Sequence, residues 1–149
     1  MKAFLMVLAL TCLPSTVFAQ QLDLSLSTAV MTFPGSDPDT VPLVSAAPVQ
    51  VTYRVRQNNR AAWSLTILGA GDLISGPSRI DITNVTWVAT PAPPFQNGTL
   101  SKTVAQRIAS GAGNVNPRTI GSITFRLANS WTYSTGTYTQ TVLFTLTAP

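Results

Sequence analysis

The sequence predicts an all-β fold, an antiparallel sandwich in one domain, and three observations carry that prediction. No stretch beyond residue 19 repeats apolar side chains at helical spacing, while short alternating runs rich in Val, Ile, Thr, Tyr, Phe and Trp recur along the chain. Clusters of Gly, Pro and Asn separate those runs at the places where strands must turn. No internal repeat is visible.

The first segment reads as an export signal. Lys2 supplies a positive start, Ala3 to Leu13 is apolar but too short to cross a bilayer, and Val17-Phe18-Ala19 offers small or medium residues before a cleavage expected ahead of Gln20. The expected organisation is therefore a signal peptide over residues 1–19 and one sandwich domain over residues 20–149, exported to the periplasm, cell surface or medium, with no membrane span after cleavage. Cys12, the one cysteine, leaves with the signal, so the mature chain must hold together without disulfides. A chain of this size can do so, since it buries roughly two-thirds of its unfolded surface.

Within the mature part, Leu22, Leu24 and Leu26 alternate with Asp23, Ser25 and Ser27, which puts the leucines on one face of a pleated strand that is expected to continue through Val30 to Phe33. Pro34 to Asp39 breaks it, because proline lacks a ladder donor. The cleanest strand follows, with Val49, Val51, Tyr53 and Val55 inward and Arg54 and Arg56 outward. Trp63, Leu65 and Ile67 resume the alternation after a polar turn, so residues 49–68 are expected to form a hairpin. Leu73 and Ile74 suggest a short rung, and Ile80 to Val88 suggests one or two further strands. Residues 91–98 read as a proline-rich surface loop, residues 99–108 as a polar edge strand carrying Lys102, and residues 111–117 as a second loop. Ile123, Phe125 and Leu127 then point inward, and a last strand over residues 136–147 places Tyr138, Val142, Phe144 and Leu146 on one face. About seven to nine strands in one domain fit an immunoglobulin-like antiparallel sandwich. Val51, Tyr53, Trp63, Phe125, Val142 and Phe144 are the expected core.

The chemistry is defined by what is missing. The chain has no histidine and no glutamate, and its mature part no cysteine, which removes the usual general base, the glutamate pair of glycosidases, and thiol or imidazole metal ligands. No catalytic residue, cofactor or metal is therefore expected, and the reading is that the protein is not an enzyme. Asp37 and Asp39 lie close together, yet a hard cation takes six to eight oxygens, so a turn fits them better. Without Lys2 the chain keeps eight basic against five acidic residues, but the arginines at 54, 56, 60, 79, 107, 118 and 126 form no run and nucleic acid is not an expected partner. Trp63 and Trp87 alternate in phase with core residues. Trp131 and Tyr133 sit in a loop-like stretch and are the candidate platform for stacking a sugar ring, the basis of an alternative reading as a non-catalytic carbohydrate-binding module.

The two chain ends carry the most functional content. The alternating Leu22, Leu24, Leu26 segment follows directly on the expected cleavage site, and the chain closes on Gly136-Thr137-Tyr138 and alternating Thr and apolar residues through Thr147. This arrangement resembles bacterial pilin and surface-fibre subunits. It lacks the cysteines of many such subunits, and Ala148-Pro149 stands where an aromatic residue is expected. The resemblance implies an immunoglobulin-like domain that assembles by strand exchange, a fimbrial or adhesive structural role, and self-association or contact with other surface subunits. Leu22, Leu24 and Leu26 are then the strand-exchange candidates, though the same segment also suits an ordinary first strand.

Overall fold

The computed structural model describes residues 20–57 and 60–149. The expected signal peptide and most of its cleavage region lie outside the described residues.

The described chain is an all-β sandwich. Its strands are β1 (Gln21–Leu26), β2 (Leu43–Ser45), β3 (Val49–Arg56), β4 (Ala62–Gly69), β5 (Leu73–Ser75), β6 (Ser78–Ile80), β7 (Val85–Thr90), β8 (Gly98–Thr99), β9 (Gln106–Ala112), β10 (Val115–Ala128) and β11 (Val142–Thr147). Four of these eleven, β2, β5, β6 and β8, are only two or three residues long, which leaves seven of full length. One sheet runs β1-β3-β10-β7-β8, with β2 also on β10; the second runs β11-β4-β9, and β5 and β6 form a small hairpin. All pairings are antiparallel.

Alternation decides which side chains enter the core. In β3, Val51, Tyr53 and Val55 are buried, and in β4, Trp63, Leu65 and Ile67 are buried. Tyr53 meets Trp63 across the sandwich at a ring-centroid distance of 5.1 Å, within the range that favours tilted aromatic pairs. Ile123, Phe125, Trp87 and Ile108 complete this centre.

The expected hairpin over residues 49–68 does not form. β3 pairs with β1 and β10, whereas β4 pairs with β9 and β11, so the chain passes from one sheet to the other between Arg56 and Ala62. Alternation fixes the face a strand buries and says nothing about its neighbour. The first strand stops at Leu26, although Met31 and Phe33 still pack against the core. The polar strand expected over residues 99–108 is split into β8 and β9, and β9 extends into the expected loop as far as Ala112. The last strand begins at Val142; before it, only Thr139 is bridged, to Ile74.

The proline-rich segment after β7 is more than a surface loop. Phe95 is 1% exposed, its ring packs edge-on against Tyr53 with centroids 5.8 Å apart, and it bridges to Ala109 of β9. Gln96 donates its backbone N–H to the Ile108 carbonyl and accepts from Trp87 Nε1 at 2.8 Å, while Asn97 Oδ1 accepts from the Ala89 N–H. This loop thus closes one long side of the sandwich, tying the β7 edge of one sheet to the β9 edge of the other.

Candidate functional site

The opposite long side is open. It is bounded by β1 at the edge of one sheet and β11 at the edge of the other, and among the described residues each pairs with a single strand, β3 and β4 respectively. The first and last described residues meet there, where Gln20 Nε2 donates to the Pro149 carbonyl at 3.3 Å.

Between these edges lies a cleft of about 210 Å³ whose walls include Leu26, Met31, Val49, Phe125, Val142 and Phe144. Val142, Phe144 and Leu146 of β11 are only half-buried, so two residues expected in the closed core, Val142 and Phe144, instead line its open side. On β1, Leu22 and Leu24 are half-buried against the core and Leu26 is 38% exposed. The free backbone edge of β11 beside half-covered apolar side chains can accept another extended segment, which would supply both ladder hydrogen bonds and alternate side chains.

β1 is held to its neighbour by polar contacts as well as by the ladder. Its register places Gln21 opposite Arg56 and Leu26 opposite Val51. Asp23 accepts a hydrogen bond from Arg54 Nε at 2.7 Å and forms a longer ion pair with Arg118 at 3.5 Å. The hydrogen bond from Arg54 is the main reason its carboxyl is held below the usual carboxylate range, with the charge of Arg118 adding to it. Beyond the strand, Ser27 N–H donates to the Gln50 carbonyl and Gln50 N–H donates to Ser27 Oγ, both at 2.9 Å.

A second charged cluster sits at the corner after β4. Lys102 Nζ lies 2.7 Å from Asp72 Oδ1 and 3.7 Å from Asp81 Oδ2. Asp72 also accepts from the Ile82 N–H, and Asp81 from the Thr83 N–H at the start of a short 3-10 turn over Ile82–Asn84. Each partner is already satisfied, so the cluster joins loops to one another. Among the described residues no group of three or more metal-ligating side chains occurs.

The sugar-stacking candidates are separated in role. Trp131 is 68% exposed, and its Nε1 donates to Asp39 Oδ1 at 3.0 Å. Tyr133 is half-buried and turned onto the core. Of the two rings, Trp131 is the more exposed. Asp37 and Asp39 form the expected turn, with Asp37 Oδ1 accepting the Asp39 N–H at 2.9 Å and the Asp37 carbonyl accepting from Val41.

Sequence reasoning found both edge strands but missed Met31 and the role of Phe95. The available signal was an isolated aromatic residue inside a proline-rich loop, which has little reason to be there unless it is buried. Compared with known proteins, the chain matches no family model and no curated protein sequence. No described helix is long and apolar enough to cross a membrane.

Proposed function

We propose that this protein is an exported structural subunit that assembles into a surface fibre through β-strand contacts at the edge formed by its two terminal strands, on an immunoglobulin-like frame. The observation that supports this reading is the difference between the two long sides of the sandwich. One is sealed by Phe95 and its loop, while the other leaves the outer edges of β1 and β11 without a strand partner among the described residues, beside a cleft lined by apolar residues together with Thr28, Gln140 and Thr141. A free edge beside half-covered apolar residues invites pairing, and a monomer that had no use for one would be expected to blunt it. β11 offers no charged residue for that purpose, since Val142 to Thr147 contains only apolar residues and threonine. The absence of histidine, glutamate and mature cysteine fits a role in contact rather than catalysis.

The test is deletion of residues 20–27. If β1 serves as the exchanged segment, the shortened chain stays folded by circular dichroism but no longer forms filaments visible by negative-stain microscopy, and a peptide of residues 20–33 binds to it. Loss of folding on deletion, or filaments unchanged by it, would overturn the reading.

A further inference from the structure

The net charge of the described chain is concentrated at one end of the sandwich. Val115 at the start of β10 pairs with Val55, and this end holds Arg54 and Arg56 of β3, Arg60 in the segment before β4, and Arg118, against a single carboxylate, Asp23. Four bases against one acid leave about +3 here. Elsewhere Arg79, Lys102, Arg107 and Arg126 are matched in number by Asp37, Asp39, Asp72 and Asp81, so the other described side chains sum to zero. With a screening length of about 8 Å at physiological salt, the excess is felt locally rather than averaged over the molecule.

Three of these arginines lie side by side on the outer face of their sheet. Alternation in β3 buries Tyr53 and Val55 and turns Arg54 and Arg56 outward, about 7 Å apart along the strand. Asp23 stands opposite Arg54 on β1, and Arg118 stands on the other side, one residue before Thr119, which pairs with Tyr53. Asp23 accepts from Arg54 Nε and lies 3.5 Å from Arg118, which places all three on this face. One carboxylate thus serves two guanidinium groups and leaves the face positive. Arg118 keeps 58% of its side chain exposed, and among the described residues the side chains of Arg56 and Arg60 have no ion pair or hydrogen bond. Neutral polar side chains surround the arginines, with Gln21 opposite Arg56 and Ser25 opposite Thr52.

We infer that this end of the face binds an acidic polysaccharide, a chain that offers carboxylates to the guanidinium groups and hydroxyls to the amide and hydroxyl side chains around them. A guanidinium stays charged and can meet a carboxylate through two parallel hydrogen bonds, which a lysine cannot do. A strand surface suits an extended polymer, because several weak contacts along one chain hold it where a single sugar would not be retained. Nucleic acid suits the face less well, since Tyr53 is buried beneath it and leaves no ring there for a base to stack on. A lipid surface also suits it less: at this end Ile120 is the one large apolar side chain exposed on the outer face among the described residues, too little to anchor in acyl chains. The inference goes beyond the fibre reading and holds for a single copy, so its test needs no filaments and its failure leaves that reading standing.

The experiment measures binding of the purified protein to soluble polygalacturonate by affinity electrophoresis, with dextran as the neutral control, at about 10 mM and about 1 M salt, where the screening length falls from roughly 30 to 3 Å. The unaltered protein is expected to bind polygalacturonate and not dextran, and to lose affinity about tenfold or more at high salt. Arg56→Gln with Arg60→Gln removes two unpaired charges and should weaken binding about tenfold, whereas Arg79→Gln with Arg107→Gln removes the same charge elsewhere and should change it less than about twofold. Should the first pair lose its fold by circular dichroism, Arg118→Gln takes its place and should weaken binding in the same direction. No binding to polygalacturonate, binding that ignores salt, an equal loss in the two double variants, or tighter binding to oligodeoxythymidine or to phosphatidylglycerol vesicles would each overturn the inference.

Discussion

Replacing Phe95 by alanine tests whether a loop, rather than a strand, closes one side of this sandwich. The ring is 1% exposed, it contacts Tyr53 edge-on, and it lies over Gly121, where a Cβ atom would clash with the ring. Removing a fully buried phenylalanine costs about 3–5 kcal/mol once the cavity is included. Of this, about 0.5–1.5 kcal/mol belongs to the aromatic pair with Tyr53. The loop hydrogen bonds from Trp87 Nε1 and Ala89 N–H to Gln96 and Asn97 depend on the same seating, so the upper half of the range is expected. A domain of this kind has only about 5–15 kcal/mol in total, so Phe95→Leu, expected to cost less than the alanine change, serves as the measurable partner if Phe95→Ala unfolds. The assay is urea unfolding followed by tryptophan fluorescence, with the midpoint and slope fitted together. A loss under about 1.5 kcal/mol for Phe95→Ala with an unchanged slope would mean that the ring is not a seated plug, and the contrast between a closed and an open side would fail with it.

Three further outcomes follow from the same geometry. Gly121→Ala drives a methyl group into the Phe95 ring and should cost about 1–3 kcal/mol by urea unfolding; combined with Phe95→Ala it should cost clearly less than the sum, because the two act on one space. Asp23, Asp72 and Asp81 have folded pKa values below 3.8, so their contribution is present above that value and lost as pH falls through the lowered pKa; Lys102, raised above 10.5, contributes until pH rises through its folded pKa. The urea midpoint should therefore be flat near neutrality and drop in acid below about pH 4, and the acid drop should be shallower in Arg54→Met, where Asp23 has lost its main partner. Trp131→Ala should change stability by no more than about 0.5 kcal/mol and remove most iodide-quenchable fluorescence, since Trp63 and Trp87 are 6% and 1% exposed; loss of glycan retention in the same variant would instead favour the carbohydrate-binding alternative.

Two-residue alternation made much of this fold legible before any coordinates. Val51, Tyr53, Trp63, Leu65, Ile123 and Phe125 are buried where their spacing put them, because a pleated strand sends successive side chains to opposite faces whatever lies beside it. The same logic identified both terminal strands and kept Trp63 and Trp87 apart from the exposed Trp131.

Pairing was not legible in this way. The residues of β3 and β4 look like a hairpin, since a short polar segment separates two alternating runs, yet the two strands lie in different sheets. Only tertiary packing decides that choice, because the apolar face of β3 is covered by β4 from the opposite sheet, with Tyr53 against Trp63, rather than continued beside it. The same holds for Val142 and Phe144. Their spacing marks an inward face, but how deeply that face is covered depends on what borders the sheet edge, and among the described residues no strand pairs with the outer edge of β11.

By itself, then, the sequence determined the fold class, the buried face of each long strand and the absence of the usual catalytic and metal-binding side chains. Those follow from residue type and local periodicity. Tertiary structure alone decided that Phe95 seals one side and that β1 and β11 border the other. These depend on residues far apart in the chain, brought together by strand order, and strand order is set by long-range packing that no local pattern encodes.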